Sequence, residues 1–543
     1  MTTASQRPNI VLILADDMGY SDLGCYGSEI RTPNLDGLAA QGLRFSQMYN
    51  FARCCPSRAA LLTGLYPHQA GIGHMAGGIP NAPGYGGYLR HSAVTIAQIL
   101  KERGYRTLMS GKWHCGKRPD SADIPPEMQH GFDRLFGLGR NSGYFGGRTC
   151  TLDGEPIAAN STDFYLTDAI SNHAVDFISE SADQPFFMYV AYTAPHWPLH
   201  AFEEDIARYQ GQYHKGGWDA ARTARHEALK DMEVVSSHWD ISPRDEDAPS
   251  WNEVADPDWE DRRMAVYAAQ VDRMDQGIGR ILAKLRELDV EDNTIVIFLS
   301  DNGGCAEFLC EDGNRIDWIF LQGLTTHDGQ PVQMGNIPGL MPGAEDTYMS
   351  YDVPWANVST TPFRRYKRWV HEGGIATPCI VRWPATIKQP DLAHAPAQII
   401  DITATLIDAA GASYPAEYDG HTITPLEGES FLSLLEGREW SREKPMYWEH
   451  EGNAAIRIGP WKLVCETSGQ GGWELYNMDE DRTELNDLAE REEDRVRKME
   501  QRYREWADRA DVLPWPINSG AWRFPGMSPD GTFYMRGQHG HMV

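Results

Sequence analysis

Residues 9–17 read Asn-Ile-Val-Leu-Ile-Leu-Ala-Asp-Asp. From Asn9 to Ala15 the run is short, almost wholly apolar and rich in β-branched side chains. A strand wetted on one face alternates polar and apolar residues, whereas an unbroken run suits a strand buried on both faces of a parallel sheet. Asp16 and Asp17 follow at once, at what would be the carboxyl edge, where open α/β sheets bind ligands. Adjacent carboxylates there are costly unless a cation lies between them. A hard divalent ion with oxygen ligands is the simplest candidate, and a solvated Asp-Asp turn is the plainer alternative.

A second stretch repeats the arrangement. Thr294 to Leu299 (TIVIFL) carries the strongest strand signal and closes on Ser300-Asp301-Asn302-Gly303-Gly304. Alone, that closing segment is an ordinary tight turn. Two acidic strand ends in one parallel sheet converge, however, and Asp16, Asp17, Asp301 and Asn302 would together offer oxygen ligands suited to Ca²⁺ or Mg²⁺.

Helices fall between such strands. Thr32 reads as an N-cap with Pro33 at the first helical position, Leu35, Leu38 and Ala39 on one face and Gly42 as the stop. Thr95 to Arg103 repeats the pattern, followed by strands at Tyr105–Ser110 and Phe186–Thr193. Strand, helix, strand in this order predicts right-handed βαβ units and an α/β fold. From Phe202 to Asp261 the chain turns polar, with nine carboxylates between Asp240 and Asp261, and is expected to be an insertion packed over the surface. An amphipathic helix is predicted over Arg262–Leu288, a strand over Pro378–Arg382 and a helix over Ile402–Ala410, with a Gly/Pro-rich stretch at Gly323–Asn357. Beyond residue 440, Ala455–Ile458, Trp461–Cys465 and Trp473–Tyr476 read as a small antiparallel sheet, with a charged helix over Asp481–Trp506. The aromatic tail after Asp511 should wrap back onto the body or another subunit. The expected organisation is a catalytic domain over 1–440, with the insertion at about 202–261, and a carboxyl-terminal subdomain over 441–543.

The 543 residues carry 49 Lys+Arg against 77 Asp+Glu, a net charge of −28. Nucleic acid and anionic membrane surfaces are excluded as partners, because phosphate binding needs clustered Lys and Arg. An anionic substrate would be repelled everywhere except at a local island of positive charge, and rising salt should ease its approach. No apolar run approaches the ~20 residues that span a bilayer. The start shows no cleavable leader, so a cytoplasmic location is expected, or a periplasmic one if a leader has been removed. Nine cysteines without zinc spacing fit a reducing compartment rather than a disulfide framework.

The last motif is Cys54-Cys55-Pro56-Ser57-Arg58-Ala59-Ala60-Leu61-Leu62-Thr63-Gly64. Pro56 suits a first turn and Gly64 a stop, placing Cys54 at a helix N-terminus, where the dipole favours an anion or a lowered thiol pKa. A nucleophile and a small buried side chain both fit. This run resembles the CxPSRxxxLTG signature of the type I sulfatases. Asp16-Asp17, Gly111-Lys112-Trp113-His114, Ala194-Pro195-His196-Trp197, Asp301-Asn302-Gly303, and Tyr366-Lys367 with Glu372-Gly373-Gly374 resemble further blocks of that family, in its order, over residues 9 to about 490. Bacterial arylsulfatases with a long insertion before the Ala269–Asp275 segment are the nearest likeness.

The resemblance implies an alkaline-phosphatase-like fold, a large mixed, mostly parallel sheet flanked by helices, with a smaller carboxyl-terminal domain bearing a short antiparallel sheet. It implies that a separate maturation enzyme oxidises Cys54 to formylglycine, whose aldehyde hydrate is the nucleophile. Asp16, Asp17, Asp301 and Asn302, with residue 54, would hold one divalent cation, Ca²⁺ before Mg²⁺. Asp301 would take the proton as the hydrate attacks sulfur to give a sulfo-enzyme. Arg58 would orient the hydrate, Lys112 and Lys367 clamp the sulfate oxygens, His196 protonate the leaving group and His114 deprotonate the second hydroxyl to expel sulfate. His200 is the rival to His196. The implied reaction is hydrolysis of aryl sulfates, or of alkyl or carbohydrate sulfates. A phosphonate monoester or phosphodiester hydrolase, and a binding protein whose Cys54 is never converted, are the alternatives, and the tail suggests a homo-oligomer.

Overall fold

The computed structural model describes residues 7–79, 81–120, 124–138, 143–145, 150–157, 163–309, 323–466 and 472–517. Asn9–Asp16 is the central strand of an eleven-stranded sheet. Every residue from Ile10 to Ala15 is buried, as expected of a strand covered on both faces. It pairs in parallel with Thr294–Ser300 on one side and Phe186–Pro195 on the other, and Arg106–Gly111 and Arg134–Leu138 continue the parallel run. Ala376–Arg382 is antiparallel to Thr294–Ser300 and also to Leu43–Tyr49, which therefore points the same way as the parallel core. Several carboxyl ends and the start of one antiparallel strand thus gather on a single edge. The sheet is mixed and mostly parallel, flanked by helices, and Met446–His450, Asn453–Ile458, Trp461–Cys465 and Glu474–Asn477 form a separate four-stranded antiparallel sheet.

Several boundaries differ from expectation. The long helix runs Pro257–Glu287, starting before Arg262 because Asp256 caps it through the Trp259 amide and Pro257 supplies the first turn. The supposed surface insertion contains a helix, Gly217–Asp231, with a buried face: Trp218 and Leu229 are enclosed, and Arg225 ion-pairs with Asp22 and Glu29. The carboxyl-terminal helix is Glu493–Arg509, not Asp481–Trp506. Arg482 and Glu484 instead hold irregular backbone in place through buried ion pairs to Glu372 and Lys462. Leu43–Tyr49 and Met446–His450 escape the sequence reading because apolar and polar residues mix within them. Of the aromatic tail, Trp515 packs back on the body, stacked on His74. Trp522, Phe524, Phe533 and Tyr534 lie outside the described residues, as does Cys310. Among the described residues, Cys25, Cys54, Cys55, Cys115, Cys150, Cys305 and Cys379 are free thiols.

Candidate active site

The sheet edge assembles the site strand by strand. The neighbouring parallel strands Thr294–Ser300, Asn9–Asp16, Phe186–Pro195 and Arg106–Gly111 deliver Asp301 and Asn302, Asp16 and Asp17, His196, and Lys112 with His114. With strands ~4.8 Å apart, those ends converge within side-chain reach. Leu43–Tyr49 points to the same edge and leads into the fully buried helix Cys54–Thr63. That helix ends on Gly64 at φ 70°, the left-handed cap predicted for it. Lys367 arrives on the segment before Ala376–Arg382, whose amino end reaches this edge because the strand is antiparallel.

Three buried carboxylates meet three cations. The Lys112 ammonium lies 2.5 Å from Asp16 Oδ2. Lys367 Nζ is 2.9 Å from Asp17 Oδ2, and His196 Nε2 is 3.3 Å from the same oxygen. Arg58 donates from Nε and Nη2 to Asp301 Oδ2, each at 2.9 Å, and from Nη1 to the Lys112 carbonyl at 2.8 Å. Asn302 Nδ2 donates to Asp17 Oδ1 at 2.8 Å. Against the cost of burial, Lys112 and then Arg58 draw the Asp16 carboxyl down to about 2. Burial, then the Asp16 charge, pushes Asp301 well above the ordinary carboxylate range despite Arg58. For Lys367, Asp17 overrides burial and raises the ammonium.

Asp16 Oδ1 and Asn302 Oδ1 are buried oxygens without a hydrogen-bond donor, and ligand-type atoms of Asp16, Asp17 and His196 lie within 4.8 Å of one another. Orphaned oxygens of this kind ask for a cation. The set Asp16, Asp17, Asp301 and Asn302 fits a hard divalent ion. Cys54, Cys55 and His114 place ligand-type atoms within 4.8 Å of one another. A hydrogen bond from Cys55 pulls the Cys54 thiol well below its ordinary value, with burial opposing and His114 and Lys112 assisting. Burial and Lys112 keep the His114 imidazole low and so neutral, as a base requires.

Each ring nitrogen of His196 faces an oxygen, Asp17 Oδ2 on one side and the Trp197 carbonyl at 2.6 Å on the other. Either nitrogen is therefore placed to donate a hydrogen bond. His200 is instead enclosed, with Nε2 2.6 Å from the Thr347 carbonyl, and takes no part in the site. Backbone strain clusters here too: Asp17, Ala52, His114 and Arg368 all have positive φ, at 66°, 58°, 57° and 92°. Every site residue expected from sequence comes to this one edge. Arg53, Glu307 and Trp197 also lie at it; sequence reading names neither Arg53 nor Glu307, and Trp197 only as part of the Ala194–Trp197 block. Arg53 Nη1 is 2.8 Å from Glu307 Oε1, and Trp197 Nε1 donates to Glu307 Oε2 at 2.9 Å. Arg53 adjoins Cys54 and Trp197 adjoins His196 in sequence, whereas Glu307 lies six residues after Asp301.

An α/β sheet presenting buried carboxylates, lysines and histidines around a helix-borne cysteine defines a hydrolase for an anionic ester. The chain matches the Sulfatase family model over residues 8–412, and the model for the carboxyl-terminal region of N-sulphoglucosamine sulphohydrolase over residues 364–508. It belongs to the sulfatase family and is a sulfuric ester hydrolase. It is 32% identical to an uncharacterized sulfatase of Schizosaccharomyces pombe, covering 89% of this chain and 90% of that one. It is 31% identical to an arylsulfatase of Klebsiella aerogenes, covering 80% and 94% respectively. Among solved structures it resembles Ps i-CgsB in complex with k-i-k-neocarrahexaose, at TM-score 0.66 and 25% identity over 95% of this chain and 96% of that chain. Formylglycine and a divalent cation are typical of the family.

Proposed function

We propose that this protein hydrolyses sulfate monoesters, aryl sulfates first among them, with residue 54 as formylglycine and one divalent cation, Ca²⁺ before Mg²⁺, held by Asp16, Asp17, Asp301 and Asn302. The observation that carries the reading is the convergence of those oxygen donors, two of them orphaned, with Cys54, Arg58, Lys112, Lys367 and two histidines on one sheet edge. When bound, the cation neutralises negative charge on the ester and makes an oxygen at residue 54 easier to deprotonate.

The chain's own residues do the rest. Lys112 and Lys367, which sit on two of the carboxylates that would hold the cation, would clamp the sulfate oxygens as compact point charges. Arg58, pinned between Asp301 and the Lys112 carbonyl, keeps residue 54 and the lysine loop in register. Asp301 would accept the proton of the attacking oxygen. His196 protonates the departing alcohol or phenol, and His114, beside residue 54, serves as the base that expels sulfate. A saccharide sulfate is the second substrate class, supported by the likeness to Ps i-CgsB, solved in complex with k-i-k-neocarrahexaose. A formylglycine-generating maturation enzyme is the partner proposed.

Mass spectrometry of the peptide containing residue 54 tests the modification, which exchanges one sulfur and two hydrogens for one oxygen. In protein from its native host the modified mass is expected, and an unmodified thiol there would overturn the mechanism. Turnover of p-nitrophenyl sulfate is expected to exceed that of phenyl phosphonate esters, and the reverse order would make this a phosphonate hydrolase. Calcium is expected to raise the melting temperature of the wild type and not of Asp17→Asn.

A further inference from the structure

We infer that Glu307 is a positioning residue that holds Lys367 for the sulfate group, an inference that rests on the sulfatase reading of this site. Glu307 lies in the loop after Thr294–Ser300, with its side chain only 16% exposed. Its Oε1 takes the Arg53 guanidinium at 2.8 Å, and its Oε2 takes the Trp197 indole N–H at 2.9 Å and lies 3.5 Å from Lys367 Nζ. With both oxygens engaged, the carboxylate is poorly placed to shuttle protons or accept a hydrogen bond from substrate. Its partners explain what it is for. Arg53 precedes Cys54, and Trp197 follows His196, the two rings lying 4.5 Å apart. Both anchors belong to functional segments that cannot shift without moving the chemistry.

Lys367 is shared between two carboxylates, Asp17 at 2.9 Å and Glu307 at 3.5 Å. Asp17 is also one of the residues that would hold the cation, which would leave less of its charge to pair with Lys367. Glu307 then remains as the carboxylate that keeps the ammonium in the site, and a long flexible side chain needs such a restraint to act as a point charge in a fixed place. Arg53 balances the second oxygen, so an approaching sulfate ester does not meet an uncompensated carboxylate. Burial opposes ionisation of Glu307, but Lys367 and Arg53 hold its carboxyl well below the usual range.

The test compares wild type, Glu307→Gln, Lys367→Ala and the double variant in the full chain, with melting curves as the folding control. Glu307→Gln keeps the shape and removes the charge. It is expected to raise KM for p-nitrophenyl sulfate and to weaken inorganic sulfate binding in calorimetry by about tenfold, the worth of one charge-assisted contact. In the Lys367→Ala background the same change should alter neither quantity by more than about twofold, because the group being positioned is gone. A Glu307→Gln protein that melts like wild type and keeps its sulfate affinity would overturn the inference. So would losses that simply multiply in the double variant. A wild type that hydrolyses no sulfate ester would instead refute the reading beneath it.

Discussion

His196 and His200 are near neighbours in sequence, yet only His196 reaches a carboxylate of the site, while His200 bonds the Thr347 carbonyl. The chemistry that follows depends on the leaving group. A nitrophenolate departs without help, whereas an alkoxide needs a proton. His196→Gln is therefore expected to cost ~10²–10⁴ in kcat toward an alkyl sulfate, the usual worth of a general acid, and far less toward p-nitrophenyl sulfate. His200→Gln should show no such dependence on the leaving group, and a matching dependence there would reassign the acid. At this scale sequence was most informative where a motif carries its own chemistry, as in the run from Cys54 to Gly64. It was silent on Arg53 and Glu307, because an isolated Arg or Glu carries no pattern and the pair is joined only across the fold.

Elements set how closely the site's parts approach. The Gly303 amide, just past Thr294–Ser300, donates to the Gly374 carbonyl at 3.0 Å, and a Cβ at Gly303 would sit 1.9 Å from the Gly373 carbonyl oxygen. That contact locks the turn bearing Asp301 and Asn302 to the segment bearing Lys367. Gly303→Ala is expected to destabilise by about 2 kcal/mol or more, since backbone on both sides must move, and to lower activity with it. Gly37→Ala in helix Pro33–Ala39 is the control, because its added methyl meets nothing within 4 Å. It should be neutral or stabilising by about 1 kcal/mol. Denaturant melts of both variants decide the point; equal effects would remove the close-approach argument. Strand and helix types were legible here from period and caps. The antiparallel sense of Ala376–Arg382 was not, because nothing local in a buried run encodes its direction.

Across the whole molecule, the large sheet and the antiparallel sheet are joined by a buried ionic knot. Glu372 receives Lys462 and Arg482, and Lys462 also binds Glu484. Burial works against ionisation, yet Lys462 and Arg482 draw Glu372 from an ordinary value of 4.5 to about 2. A depressed carboxylate stabilises the fold above its unfolded value and loses that contribution as pH falls through its folded one. Stability on the order of 3 kcal/mol should therefore fade between about pH 4.5 and about pH 2. Glu372→Gln, less stable from the start, should show a shallower acid dependence of its melting temperature, and an unchanged slope would exclude Glu372 as a source. The global charge of −28 finds its counterpart at the same scale. In the site, Asp16, Asp17 and Asp301 are matched by Arg58, Lys112 and Lys367, so an added cation would make the pocket a positive island in an acidic surface.

By itself, the sequence determined the buried central strand, the alternation of strand and helix, and the candidate residues for a cation and a sulfate. Each of these is written in local pattern or motif. Only the tertiary structure decided which strands lie side by side, that an antiparallel strand brings Lys367 to the shared edge, that His196 and not His200 faces the carboxylates, and that Arg53 and Glu307 support the site. Those facts depend on contacts between residues distant in the chain, and hydrophobic periodicity carries no information about partners.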